Sequence, residues 1–280
     1  VKNICLDSEG AQVRTTLCDK KIFLNERKII KVFNDDKISN SKNIFMYPKF
    51  NILSIRVNTK IFIGFNDLCL KVIRIDKNKG CLFCNVVKGG FLESKKGVHI
   101  DSNIVLPALT EKDIYAFKLA NKFNLTHFAV SFVNSHKDIE AVRKIVGTKA
   151  FIISKIETKR SLINLLKISK VSNALLIDRG DLSRYIPIEQ IPIVQEQIIK
   201  FSKKINKPTY VATNLLETMI NETLPTRAES HDIYSTLKQG AKGLVLAAET
   251  AIGKNPVGCV NFLEKCINSF FKKKINFIGK

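Results

Sequence analysis

The stretch FIISKIE, Phe151 to Glu157, closes a mostly apolar run with a lysine and a carboxylate two residues apart. Side chains at i and i+2 of a strand share a face, so Lys155 and Glu157 project together into whatever lies above the sheet. Taken alone, the pair reads as a structural ion pair at the mouth of a strand. Polar residues recur, however, at the ends of the other apolar segments: Asp7, Ser131, Asp178 with Arg179 and Asp181, Thr213 and Glu249. In a parallel barrel that rim is where catalytic groups from separate strands converge. Glu157 and Asp181 lie one strand-helix unit apart, which sets two carboxylates on adjacent strand ends. Two hard oxygen donors suit Mg²⁺ and leave coordination positions for a substrate phosphate. A nearby ammonium can neutralise charge on a phosphoryl group in transit. Phosphoryl transfer is the reaction class this chemistry favours.

These residues need a scaffold that aligns strand ends. From about Thr126 onward, short apolar strands alternate with helical patterns. THFAVSF precedes a helix expected over 136–146, FIISKIE one near 161–168, and ALLIDRGD a long one over 188–204. PTYVATNLLE and GLVLAAE continue the series, and AESHDIYSTLKQG ends on Gly240, suited to a helix C-cap. Thr110 and Asp113 make a capping-box start for EKDIYAFKLANKF. Repeated strand-helix units with near-continuous apolar strands mean a parallel sheet. Six such strands are expected, around Ile4, Phe128, Ile152, Leu175, Tyr210 and Val245, where a closed barrel of the common kind needs eight. Between about Thr16 and Gly97 the pattern changes to short strands separated by Asn, Asp, Gly and Lys turns, with no helical period. The expected architecture is α/β: a TIM-type (β/α) barrel, incomplete in this chain, from residues 1–15 and 98–280, interrupted by a small all-β lid domain at 16–97.

Composition sets outer bounds. A chain of 280 residues with a net charge of +21 can bury a large core and attract polyanions. Lysine is spread nearly everywhere, so a solvated basic surface explains the charge as well as a polyanionic partner does. Seven cysteines, an odd number scattered through a large chain, point to free thiols in a reducing, cytoplasmic compartment. Cys81 and Cys84 form a CxxC with no second pair or histidine at zinc spacing. No apolar run reaches membrane-spanning length, and VKNICLDSEG lacks the form of a signal peptide.

The stretches LDSEGAQVRT, GGFLESKKGVHI, LPALTEKDI, ISKIE, RGDL (179–182), KPTYVATNLLETMI, LPTRAE and ETAIG run in order from Leu6 to Gly253, and with them the sequence resembles the pyruvate kinase family. The resemblance implies a (β/α)₈ barrel with a mobile β lid, and transfer of a phosphoryl group from phosphoenolpyruvate to ADP as the last step of glycolysis. By matching motif, Lys155 would stabilise the transferring phosphoryl group and Glu157 and Asp181 would hold Mg²⁺. The amides of Gly180 and Asp181, with Thr213, would seat the substrate carboxylate, Thr213 also lying near the proton path to the enolate. Arg14 would touch the nucleotide phosphates, Lys96 would reach ATP, and Asp7 with Ser8 would supply part of a K⁺ site. Family members form homo-oligomers.

The chain also departs from that pattern. It lacks the first two strand-helix units and the C-terminal regulatory domain, so residues ahead of Val1, or a separate ordered segment, are expected to complete the barrel. Gly64, Phe65 and Asn66 stand where the family has Asp-Asp-Gly, and Gln12 replaces the glutamate of potassium-dependent members. Asn134 replaces a basic residue, Tyr185 a glutamate, and Ala247-Ala248 a Ser-Gly. Two other readings compete: a catalytically degenerate homologue using its basic surface to bind RNA or a protein partner, and an enolate-forming lyase or aldolase. Sequence-specific nucleic-acid recognition is disfavoured by the lack of interleaved aromatic and basic residues.

Overall fold

A computed structural model describes residues 4–10, 12–64, 67–102, 104 and 106–272. Its elements run in the order β1 (Cys5–Asp7), β2 (Arg14–Thr15), β3 (Ile22–Leu24), β4 (Ile29–Phe33), β5 (Asn43–Tyr47), β6 (Lys60–Ile63), β7 (Leu68–Asp76), β8 (Cys81–Lys88), β9 (Gly90–Leu92), β10 (Val98–Ile100) and α1 (Glu111–Lys122). Then the pattern alternates: β11 (His127–Val130), α2 (His136–Val146), β12 (Phe151–Ile156), α3 (Lys159–Ile163), α4 (Leu165–Val171), β13 (Ala174–Asp178), α5 (Arg179–Leu182), α6 (Ile191–Lys204), β14 (Thr209–Ala212), α7 (Arg227–Gln239), β15 (Gly243–Val245), α8 (Ala248–Ala251) and α9 (Pro256–Lys272). Contacts divide the chain into two compact units, Val1–Ser8 with Ala116–Lys280, and Glu9–Tyr115.

The first unit is built on a parallel sheet in the order β1-β11-β12-β13-β14-β15. These are the six strands expected from the sequence, and among the described residues β1 and β15 are its edges. Burial follows position in the sheet. Four of the five residues of central β13 are buried, whereas edge strand β15 has none and Ile4 beside β1 is 61% exposed. Helix α1 seats Phe117 edge-on against Phe128 of β11, ring centroids 5.2 Å apart, a geometry that aromatic quadrupoles favour.

Local sequence explains the helix ends. Ser135 and Asp138 close a capping box on α2, Thr158 and Ser161 on α3, and Thr226 and Glu229 on α7, while Gly240 ends α7 in the left-handed region at φ 108°. The helix expected near 161–168 is split. Asn164 caps both α3 and α4, and its side chain donates to the Asn134 carbonyl instead of continuing the helix. The long helix opens with a separate 3₁₀ turn at Ile188–Gln190, with Pro192 in the first turn of α6, where a missing N–H costs nothing.

Among the described residues, the second unit is all-β apart from one 3₁₀ turn at Ile52–Ser54 and the start of α1. A seven-stranded sheet, β10-β6-β7-β8-β4-β5-β2, surrounds a core of Leu24, Ile30, Ile44, Ile61, Leu68, Leu70 and Leu82, with β3 and β9 as a separate pair. It extends beyond residues 16–97 because β2 pairs with β5 and β10 with β6. The Thr110–Asp113 capping box closes on this unit too: Asp113 accepts from the amides of Glu9, Gly10 and Thr110. Of the three departures at the lid tip, Phe65 and Asn66 lie outside the described residues.

Candidate active site

The C-terminal ends of β1, β11, β12, β13 and β14 bring one charged cluster together. Lys155, near the end of β12, places its ammonium 3.1 Å from Glu157, 3.4 Å from Asp7 and 3.5 Å from Asp178. It also donates to Ser131 Oγ at 3.1 Å. The lysine side chain is 12% exposed and that of Glu157 is sealed. Burial works against the charged lysine, yet Glu157, Asp7 and Asp178 hold it protonated well above its ordinary range. Burial likewise pushes the Glu157 carboxyl up, to about 8, against the pull of Lys155.

Glu157 is held from one side only. Its Oε2 accepts the Phe132 amide at 2.5 Å, and Phe132 turns to φ 53° where it leaves β11. The other oxygen, Oε1, is buried and makes no hydrogen bond, although the ammonium stands 3.1 Å away. Glu157, Asp178 and Asp181 each offer a carboxylate oxygen, and the three lie within 4.8 Å of one another. Three hard donors, one of them an orphaned buried oxygen, fit a divalent cation such as Mg²⁺. Asp181 in turn pairs with Arg184 at 3.0 Å.

Thr213, just past β14, sits at φ 77°, a conformation that a β-branched residue holds only under external constraint. The constraint comes from the first residue of α5, just past β13. Arg179 donates to the Thr213 carbonyl through Nε at 3.0 Å and Nη2 at 2.6 Å, and its Nη1 pairs with Asp232 of α7 at 2.7 Å. The threonine hydroxyl donates to Asp178 Oδ1 at 2.7 Å. Gly180 makes the approach possible, since a Cβ there would lie 2.9 Å from Thr213 Cγ2.

Asp7 and Ser8 both meet Ser131, Ser8 buried and the Asp7 side chain 55% exposed. Ser131 Oγ lies 2.8 Å from the Ser8 carbonyl and 3.2 Å from Asp7 Oδ1, its one proton serving either acceptor, while its amide donates to Ser8 Oγ at 2.9 Å. Arg14 and Lys96 belong to the second unit. Arg14 donates to the Lys95 carbonyl at 3.2 Å, and Lys96 pairs with Glu93 at 2.6 Å. Glu93 also holds Lys21 at 2.5 Å, and these two lysines draw its carboxyl down to about 2. Glu249, a strand-end carboxylate by sequence, is structural: it accepts the amides of Leu216 and Ala247. Asn134 makes local bonds to Phe132, Asp138 and Thr158.

Sequence reasoning set Asp178 among the strand ends without a role. Its signal was its place as the last residue of a buried strand, directly ahead of Arg179, Gly180 and Asp181. Arg179 was set there as well, but its pairing with Asp232 was beyond reach, because the two lie 53 positions apart.

The pyruvate kinase barrel-domain pattern matches residues 2–260. This chain belongs to the pyruvate kinase family. A pyruvate kinase of Thermotoga maritima is 36% identical over 281 residues, covering 96% of this chain and 59% of that protein. Pyruvate kinases of Mycobacterium intracellulare and Dictyostelium discoideum are 34% and 31% identical, covering 75% and 94% of this chain and 45% and 53% of theirs. The chain thus spans about half the length of the curated relatives it matches. The incomplete (β/α) barrel with its all-β insert is a pyruvate kinase barrel domain in fold, and no helix among the described residues is long and apolar enough to cross a membrane.

Proposed function

We propose that this chain carries the phosphoryl-transfer centre of a pyruvate kinase, acting on phosphoenolpyruvate and ADP in the cytoplasm. The observation that carries the reading is the cluster at the ends of β12 and β13, where a buried ammonium and three carboxylates share a few ångströms. Charges grouped this way cost stability unless a ligand uses them. Glu157 and Asp181 would hold Mg²⁺, which when bound supplies positive charge to the phosphoryl oxygens. Lys155 would hold the same phosphoryl group through its passage, its three carboxylate neighbours keeping it protonated. The amides of Gly180 and Asp181, with the Thr213 hydroxyl, would orient the substrate carboxylate. Thr213, its backbone fixed by Arg179, would stand near the proton path to the enolate once its hydroxyl is released from Asp178. Arg14 and Lys96 would bind nucleotide phosphates, and Asp7 with Ser8 would contribute to a K⁺ site whose need Gln12 makes a matter for measurement. Homo-oligomerisation belongs to the same proposal.

The test is pyruvate release from phosphoenolpyruvate with and without ADP and Mg²⁺. Release that depends on both, and that Lys155→Met abolishes, supports the kinase. Release without ADP points to a lyase or aldolase. No release, with salt-sensitive RNA binding indifferent to Lys155→Met, would establish a basic binding protein instead.

A further inference from the structure

Asp178 answers the donors that the reading above reserves for substrate. Its Oδ1 accepts the Thr213 hydroxyl at 2.7 Å and, at 3.5 Å, the Asp181 amide at the start of α5. Its Oδ2 stands 3.5 Å from the Lys155 ammonium. A Cβ on Gly180 would lie 3.5 Å from Oδ1, so the carboxylate rests directly against the glycine as well. One carboxylate of the chain's own therefore touches the hydroxyl and an amide that a bound carboxylate would use, and pairs with the ammonium assigned to the phosphoryl group. The side chain is 15% exposed and sits on the last residue of a strand buried in the sheet, so its backbone has little room to withdraw.

We propose that Asp178 is a specificity-determining residue of this site, its carboxylate occupying the seat that the carboxylate of phosphoenolpyruvate would take. The inference rests on the proposed function. A substrate carboxylate must displace an anion already hydrogen-bonded there and then lie beside it, which costs both the Thr213 bond and like-charge repulsion. Affinity for a carboxylate-bearing substrate is correspondingly lowered.

The experiment is calorimetric titration of phosphoenolpyruvate at fixed Mg²⁺ into the protein and four variants, each checked for folding by circular dichroism. Asp178→Ala vacates the seat and should tighten binding tenfold or more. Asp178→Asn removes the charge but still accepts from Thr213, and should tighten it clearly less. Glu196→Gln removes an exposed charge of α6 outside the site and should change affinity less than threefold. Glu157→Gln should abolish binding. Equal tightening by Asp178→Asn and Asp178→Ala would reduce the effect to plain repulsion and overturn the occupied-seat proposal, as would unchanged or weaker binding in Asp178→Ala. In those cases binding lost in Glu157→Gln leaves the kinase reading standing. Binding indifferent to Glu157→Gln, or absent from both the parent and Asp178→Ala, would overturn the two together.

Discussion

Replacing Lys155 with methionine shortens the side chain by one atom and removes one charge from a cluster that depends on it. Three carboxylates lie within 3.5 Å of the ammonium, and they differ in exposure: Glu157 is sealed, Asp178 is 15% exposed and Asp7 is 55% exposed. Water can solvate Asp7 after the change, so its share is small. Glu157 has no such recourse. Removing one partner of a buried pair costs about 3–5 kcal/mol when the other charge stays behind. Protonation limits that cost. Burial already lifts the Glu157 carboxyl from its ordinary 4.5 to about 8, with Lys155 pulling the other way, and without the lysine it rises further. A carboxyl raised in the folded state holds a proton that the unfolded chain releases, so folding stability falls as pH climbs from 4.5 toward the folded value. In the parent that fall ends near pH 8, whereas in Lys155→Met it continues beyond. The gap between the two proteins should therefore be modest at pH 6 and approach about 3–5 kcal/mol at pH 9. Hydrogen exchange of the β12 and β13 amides reads the opening free energy of this unit alone. The expected loss of protection at pH 9 is roughly two to four powers of ten, since 1.36 kcal/mol is tenfold. Adding Glu157→Gln removes the stranded charge and should restore part of it. A double variant less protected than Lys155→Met, or a gap that narrows with rising pH, would refute the reasoning. Turnover should drop by about 10²–10³ or more in the single variant, the scale seen when a preorganised charge is lost from a transition state.

Two further changes test the frame around that cluster. Gly180→Ala would push a methyl to 2.9 Å from Thr213 Cγ2; overpacking of this kind costs about 1–3 kcal/mol, and the variant should show lower stability in urea together with weaker phosphoenolpyruvate binding. At Thr213, alanine and glycine both delete the hydroxyl, but only glycine accepts φ 77° freely. The left-handed penalty of about 1–2 kcal/mol exceeds the roughly 0.4–1 kcal/mol that glycine's extra freedom in the unfolded chain costs. Thr213→Gly should thus be the more stable of the two in urea, and the reverse order would mean that Arg179 does not hold the backbone there.

The sequence was most informative where one period dominates. Near-continuous apolar runs marked β13, which is buried on both faces, and β12, where buried and half-buried residues alternate, and a capping box marked the start of α1 because Thr110 and Asp113 lie three residues apart. Side chains on one strand face, such as Lys155 and Glu157, could be paired by counting. The α3–α4 break escaped because its cause is a bond from Asn164 to Asn134, thirty residues upstream. Thr213 escaped for a similar reason: its backbone is set by Arg179, and nothing in the composition of VATN signals a positive φ at a threonine.

Asp178 shows where such reading stops. By local rules it is an N-cap, an aspartate accepting the amide of the third residue of a short helix, and the sequence contains nothing against that description. Its meaning changes only when β14 is laid beside β13, in the register that pairs Asp178 with Ala212. That register brings Thr213 to the carboxylate, while β12 on the other side supplies Lys155. One residue then serves three strands, as cap, ion-pair partner and hydrogen-bond acceptor. Because these contacts coincide with the donors assigned to a substrate carboxylate, the same side chain that steadies the ligand-free site opposes the ligand. Stability and affinity should accordingly move in opposite directions on Asp178→Ala, and a variant that gained or lost both together would show that cap and seat are separate features.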